Sequence, residues 1–181
     1  MTLEEIGRIH GTDKVEHGYL PHYEQHLPDC DSQFTLLEIG IATGASLRMW
    51  HDWAINAQIV GIDNNPDVKD IPEEGFKIIH GDATEQFEMP YTSFDVIIDD
   101  GSHQSTDIIK SFDLLWSKLK IGGWYIIEDL ETQFHEEWGG SYSGSPATTK
   151  IYTELLNTIQ NRYNSELHVY EQMVFIRKGK K

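Results

Sequence analysis

The chain has 181 residues, 39% of them apolar, which is enough to bury the core of a single domain. Lys and Arg total 14 against 30 Asp and Glu, a formal net charge of -16. A surface this acidic repels phosphate backbones, so nucleic acid is excluded as the expected partner while metal cations are not. Cys30 is the one cysteine, so neither an intrachain disulfide nor a thiolate metal cluster can form, and a reducing, cytoplasmic compartment fits. The first ten residues are polar and carry Glu4 and Glu5, unlike a signal peptide, and no apolar run approaches the ~20 residues of a membrane span.

In chain order, residues 2–9 read as a short helix: Thr2 and Glu5 form a capping-box pattern, and Leu3, Ile6 and Ile9 mark the apolar side. Gly11-Thr12-Asp13-Lys14 and His17-Gly18-Tyr19 follow, then a second candidate helix at 21–27 with Tyr23 and Leu27 on one side. His10, His17, His22 and His26 lie here, but their irregular spacing predicts hydrogen-bonded histidines rather than a metal site.

Residues 34–39 read as a strand that runs into Gly40-Ile41-Ala42-Thr43-Gly44 and a helix over 45–55, the opening of a nucleotide-binding unit. Glycines let the backbone turn sharply and approach a ligand, and the helix N-terminus adds free N–H groups. Glu38, just before the turn, suits a cationic ligand group better than a pyrophosphate, and a sulfonium cofactor with an amino-acid tail meets that preference. The second strand, 58–62, ends at Asp63, placed either for a ribose diol or for the turn Asp63-Asn64-Asn65-Pro66. The third, 76–79, precedes Asp82, placed either for an adenine amino group or as a cap. The connection over 84–93 contains Pro90 and predicts little helix.

The fourth strand, Val96-Ile97-Ile98, is a β-branched run that stops at Asp99-Asp100-Gly101-Ser102-His103. A helix over 105–119 follows, with Ile108, Ile109, Phe112, Leu115 and Leu119 on its apolar side and Trp116 as packing. The fifth strand, 124–127, stops at Glu128-Asp129. Residues 130–146, rich in Gly, Ser and aromatics, predict a loop in which His135, Trp138 and Tyr142 could meet substrate. A helix over 148–163 and a hairpin of strands 167–170 and 173–177 close the chain.

Strands alternating with helices imply a parallel sheet, so Glu38, Asp63, Asp99-Asp100 and Glu128-Asp129 share one edge. Glu38, the glycines, Asp63 and Asp82 then face a cofactor, while Asp100, His103, Asp129 and Glu128 face a reaction centre. Clustered carboxylates repel unless neutralised, and oxygen ligands favour Mg²⁺, Mn²⁺ or Ca²⁺ over Zn²⁺. A neutral imidazole at His103, with an unperturbed pKa of ~6.5, suits a general base.

With these motifs the chain resembles class I methyltransferases that use S-adenosyl-L-methionine. More narrowly, it resembles the metal-dependent sugar O-methyltransferases of macrolide antibiotic tailoring, the mycinamicin and macrocin type. The motifs are Gly11-Thr12-Asp13-Lys14 with His17 and Tyr19, Leu37-Glu38-Ile39-Gly40 with Gly44, Ser46 and Leu47, Gly61-Ile62-Asp63, Asp99-Asp100-Gly101-Ser102-His103, Gly122-Gly123, Glu128-Asp129-Leu130 and residues 170–176. The resemblance implies a Rossmann-like α/β fold, with a mainly parallel seven-stranded sheet and a C-terminal antiparallel hairpin.

It also implies His103 as general base and Asp100, Glu128 and Asp129 as ligands of Mg²⁺ or another hard divalent cation. Cofactor contacts are implied at Thr12, Lys14, His17, Tyr19, Glu38, Gly40, Ala42, Gly44, Ser46, Asp63, Asn64, Asp82 and Asp99. Ala42 departs from the usual middle glycine, and a compact chain without an auxiliary domain is expected. The implied organisation is one methyltransferase domain: a helical cap over the cofactor (1–33), a cofactor-binding core (34–130), a mobile lid loop (131–147) and a closing helix and strands (148–181). The implied partner is a small-molecule hydroxyl acceptor such as a sugar, glycoside or vicinal diol, with no nucleic acid, no membrane and a possible homo-oligomer. Two rivals stand beside this reading: a metal-independent methyltransferase, and a non-catalytic cofactor-binding module. A nicotinamide-dependent oxidoreductase fits worst, because the glycine spacing differs.

Overall fold

The computed structural model describes residues 1–150, 152–153 and 166–180. Helix α1 spans Leu3–His10, with Thr2 as N-cap in a complete capping box and Gly11 closing the helix in the left-handed region at φ 69°. Helix α2 spans Leu20–His26 with Pro21 in its first turn, where the missing N–H breaks no helical bond. Strand β1 (Thr35–Ile39), helix α3 (Ala45–Trp53), β2 (Gln58–Asp63) and β3 (Lys77–His80) follow. Next come β4 (Phe94–Asp99), helix α4 (Ser105–Leu115), β5 (Leu119–Ile127), β6 (Glu166–Val169) and β7 (Val174–Arg177).

The seven strands form one sheet in the order β3-β2-β1-β4-β5-β7-β6. β1 to β5 are mutually parallel where they pair, and β7 is antiparallel to both β5 and β6. This is the Rossmann-like arrangement with a C-terminal antiparallel hairpin. Order reverses between β1 and β4, so the crevice at their carboxyl ends is the switch point where such sheets hold ligands.

Alternating residues of the central strands bury opposite faces of the sheet. Leu36, Val96, Ile98 and Ile126 pack with Leu3, Ile6, Leu20, Tyr23 and Trp50 of α1, α2 and α3. Leu37, Ile97, Tyr125 and Ile127 pack with Ile108, Phe112 and Leu115 of α4. Each fully buried side chain of this size contributes roughly 1.5–3 kcal/mol.

The differences from the sequence reading are local. β5 starts at Leu119 rather than 124, because its first residues pair across a register shift between Phe94 and Val96. α4 ends at Leu115 and continues as a 3-10 turn, Trp116–Lys118, with Trp116 stacked on Phe112. The loop expected after β5 carries 3-10 turns at Leu130–Phe134 and Glu136–Trp138. The helix expected over 148–163 falls largely outside the described residues. Among the described residues, no helix is long and apolar enough to cross a membrane.

Candidate active site

The switch point opens into a cavity of about 380 Å³, lined by Gly40, Asp63, Asn64, Asp82 and Asp99 together with Lys110 of α4. Gly40 has φ 78°, and a Cβ there would lie 2.0 Å from the Asp100 carbonyl oxygen, so only glycine lets β1 turn away beside β4. Asp63 holds the glycine-rich turn: its Oδ2 accepts from the Ile41 and Ala42 N–H groups at 2.9 and 3.1 Å. Its Oδ1 accepts from the Asn65 N–H at 2.8 Å. Asp82 lines the cavity and also accepts from the Thr84 N–H at 2.8 Å, a bond that holds its carboxyl below the usual range. Asp99 is buried, accepts from the hydroxyls of Ser111 and Tyr125, and is pushed by burial up to about 6.

Beyond the cavity, Asp100, His103 and Asp129 each bring one ligand atom to within 4.8 Å of the others. Two carboxylates and an imidazole at this spacing make an oxygen-rich donor set that suits a hard divalent cation. His103 Nε2 lies 3.5 Å from Asp129 Oδ2, and the Trp138 ring stands edge-on to the imidazole at 5.8 Å between centroids. Both His103 (φ 56°) and Asp129 (φ 52°) occupy the left-handed region. Gln133, fully buried, secures this backbone: its Nε2 donates to the His103 carbonyl at 3.1 Å, and its Oε1 accepts from Ser105 and Ser145 at 2.6 and 2.9 Å. The segment after β5 is thereby tied to the site.

Glu128 stands apart from the three. Its carboxylate accepts from Lys14 Nζ at 2.8 and 2.9 Å and from the Tyr23 hydroxyl. Lys14 also donates to Asp100 Oδ2 at 2.5 Å and lies 3.2 Å from Glu38 Oε1. Burial disfavours an ammonium here, but the carboxylates of Asp100, Glu128 and Glu38 outweigh it and hold Lys14 charged. Three acids around one ammonium leave an excess of negative charge, and burial together with mutual repulsion raises Glu128.

The predicted cofactor residues therefore divide. Gly40, Asp63, Asn64, Asp82 and Asp99 surround the cavity; Thr12, Lys14, His17, Tyr19, Glu38, Ala42, Gly44 and Ser46 do not line it. Gly44 is the N-cap of α3 at φ 75°, and Ser46 is buried in that helix's first turn beside Glu38. Ala42 sits in the glycine-rich turn at φ 42°, and Thr12 is buried with its N–H on the Gly7 carbonyl. Tyr19 donates to Asp129 Oδ1 at 2.5 Å, with Gln172 Oε1 at 3.2 Å, and His17 Nδ1 lies 3.9 Å from Asp129.

Glu38 has Lys14 as a cationic neighbour, and Trp50 Nε1 donates to its other oxygen at 3.1 Å. Tyr23, Gln133, Gln172 and Lys110 were not singled out by the sequence reading as site residues; nothing in their local spacing marks them. Of the four N-terminal histidines, His10 pairs with Asp52, while His22 and His26 pack on Tyr170. Tyr142, offered as a substrate contact, is 96% exposed.

A family model described as a methyltransferase domain matches residues 37–130. The mycinamicin VI 2''-O-methyltransferase of Micromonospora griseorubida is 30% identical over 211 residues, covering 98% of this chain and 53% of the relative. The demethylmacrocin O-methyltransferase of Streptomyces fradiae is 30% identical over 194 residues, covering 90% of this chain and 49% of the relative. A solved structure of MycE methyltransferase from the mycinamycin biosynthetic pathway, in complex with Mg, SAH and mycinamycin VI, matches with a TM-score of 0.88 at 30% identity. That match covers 99% of this chain and 54% of the MycE chain. The chain spans about half the length of the curated relatives it matches.

Proposed function

The chain belongs to the methyltransferase-domain family, and from that premise we propose that it methylates a hydroxyl of a sugar or glycosylated small molecule, using S-adenosyl-L-methionine with a divalent cation. The observation that carries this reading is the convergence of Asp100, His103 and Asp129 beside the switch-point cavity. The names of the relatives and the magnesium and SAH of the MycE complex support it.

S-adenosylmethionine would supply an electrophilic methyl group on a sulfonium. The cavity suits it: Gly40 leaves room for close approach, while Asp63 and Asp82 present carboxylate oxygens to hydroxyl and amino groups. Asp100 and Asp129 would hold a divalent cation, which stabilises negative charge developing on the acceptor oxygen. His103 takes the hydroxyl proton at Nε2, which lies 3.5 Å from Asp129 Oδ2. Bound S-adenosylmethionine would give its methyl to the acceptor oxygen and leave as the neutral thioether, so the proton taken up by His103 balances the charge. Gln133 anchors the His103 backbone, and much of the acceleration comes from holding oxygen, carbon and sulfur in line.

The test is calorimetric titration with S-adenosylmethionine and S-adenosylhomocysteine, with and without Mg²⁺, followed by a methylation screen of glycosides and diols. Binding of both ligands and Mg²⁺-dependent product formation are expected; no binding of either refutes the reading. A metal-free variant of the same chemistry is favoured by one observation, the Lys14 ammonium already seated on Asp100. Turnover insensitive to EDTA would select it.

A further inference from the structure

Lys14 is the one lysine or arginine among the described residues whose side chain is buried, at 1% exposed, and the proposed reaction does not use it. It reaches the site from the 3-10 turn Asp13–Val15, outside the sheet, and its carbonyl accepts from the Tyr19 N–H at 3.0 Å. Its ammonium contacts carboxylates at the ends of three different strands: Glu38 of β1, Asp100 after β4 and Glu128 after β5. Asp100 belongs at the same time to the Asp100–His103–Asp129 group. The ammonium and any cation held by that group therefore draw on the same carboxylate. Glu128, a residue away from Asp129, is engaged by Lys14 and Tyr23 at both oxygens.

Resting on the metal-assisted reading above, we infer that Lys14 is a positioning residue: an internal counter-ion that fixes Asp100 and Glu128 at the strand ends and moderates the acid cluster's affinity for a divalent cation. Two consequences follow from charge alone. Without the ammonium, the cluster keeps its carboxylates but loses its internal neutralisation, so a divalent cation binds more tightly. At separations of a few ångströms, one unit charge acting on a divalent ion amounts to about tenfold or more in affinity, even with solvent-like screening. Asp100 and Glu128 would also be released from their fixed places, so turnover falls although the cation is held better. The cofactor cavity is not lined by Lys14, so cofactor affinity stays as it was.

The experiment is Mn²⁺ titration by calorimetry of the chain loaded with S-adenosylhomocysteine, for the parent and Lys14→Met, with circular dichroism to establish folding. Expected are at least about tenfold tighter Mn²⁺ binding in Lys14→Met, a reduced kcat and an unchanged KM for S-adenosylmethionine. A purely structural lysine would leave cation affinity unchanged or weaken it, and either result in a folded variant overturns the inference. Because Lys14→Met strands two buried acids and the half-buried Asp100, the same comparison is made between Glu128→Gln and the double variant Lys14→Met with Glu128→Gln. There one carboxylate and the ammonium are removed together, and tighter Mn²⁺ binding in the double variant is again expected. If the parent binds no Mn²⁺, the metal-assisted reading falls and this inference with it. If the parent binds Mn²⁺ and the variants match their references, only this inference falls.

Discussion

Replacing Gly40 by alanine should damage both the fold and the site, and the structure sets the scale. At φ 78° an L-residue carries roughly 1–2 kcal/mol of left-handed strain. The added Cβ would meet the Asp100 carbonyl oxygen at 2.0 Å, the Asp100 carbonyl carbon at 2.7 Å and the Gly101 Cα at 2.8 Å. All three are backbone atoms, so no side chain can swing aside. β4 must move away from β1, and the bond from the Asp100 N–H to the Ile39 carbonyl, 3.0 Å long, is the first to open. Leaving those groups unpaired in the interior costs about a further 1–3 kcal/mol. Gly40→Ala should therefore lose about 3 kcal/mol, a large share of a typical domain's stability. The same displacement carries the Asp100 carboxylate away from His103 and Asp129 and distorts the cavity that Gly40 and Gly101 line, so S-adenosylhomocysteine and Mn²⁺ should both bind more weakly. Urea denaturation gives the stability change and calorimetry the affinities. A folded Gly40→Ala variant within about 1 kcal/mol of the parent, with both affinities retained, would refute the close-packed switch point.

His103→Ala should lower turnover by about 10²–10⁴-fold while leaving S-adenosylhomocysteine binding intact; unchanged turnover would remove His103 as the base. Asp129→Ala should weaken the dependence of activity on Mg²⁺, and superimposable metal titrations for variant and parent would reject the ligand role. Acid should weaken the hairpin. Burial lowers the pKa of both His22 and His26, and for His26 neighbouring His168 and His22 lower it further while Glu166 opposes. Because the folded values lie below the unfolded one, stability is full above about pH 6.5 and is lost as pH falls through that value toward the folded pKa. Thermal midpoints measured across this window should fall in the parent and fall less in His26→Gln; parallel curves would exclude His26 as a source.

The parts legible in the sequence were those encoded locally. Thr2 and Glu5 announced α1, and the β-branched runs ending at Asp99 and Glu128 announced the strands that position the acids. The switch point followed from alternation, since helices between strands force parallel pairing. What stayed hidden is long-range. Lys14 is 86 residues from Asp100 and 114 from Glu128, and nothing near Lys14 shows that its chain turns inward rather than toward a cofactor. Tyr19, expected as a cofactor contact, meets Asp129 across 110 residues. The loop after β5 reads as a mobile lid because of its glycines, serines and aromatics. Through Gln133 it is tied to Ser105, Ser145 and the His103 carbonyl, a set no spacing rule connects.

Two kinds of unfavourable energy converge on the same sheet edge. Among the described residues, the non-glycine residues at positive φ are Ala42, His103 and Asp129, which follow β1, β4 and β5 respectively. Each such position costs on the order of 1 kcal/mol or more and persists only where its surroundings over-determine it. At the same edge Glu38, Asp100 and Glu128 gather around one ammonium with Asp129 beside Asp100, so repulsion remains even with Lys14 charged. A structural edge would relax both: glycine at the strained positions and fewer acids would leave the strands equally well packed. Neither relaxation is present where the strand ends surround a cavity at the switch point. The strained backbone at His103 and Asp129 accompanies an imidazole and a carboxylate brought to within 4.8 Å of each other and of Asp100. The excess negative charge makes that group receptive to a cation. Apolar cores on both faces of the sheet supply the stability that lets this arrangement persist before any ligand arrives.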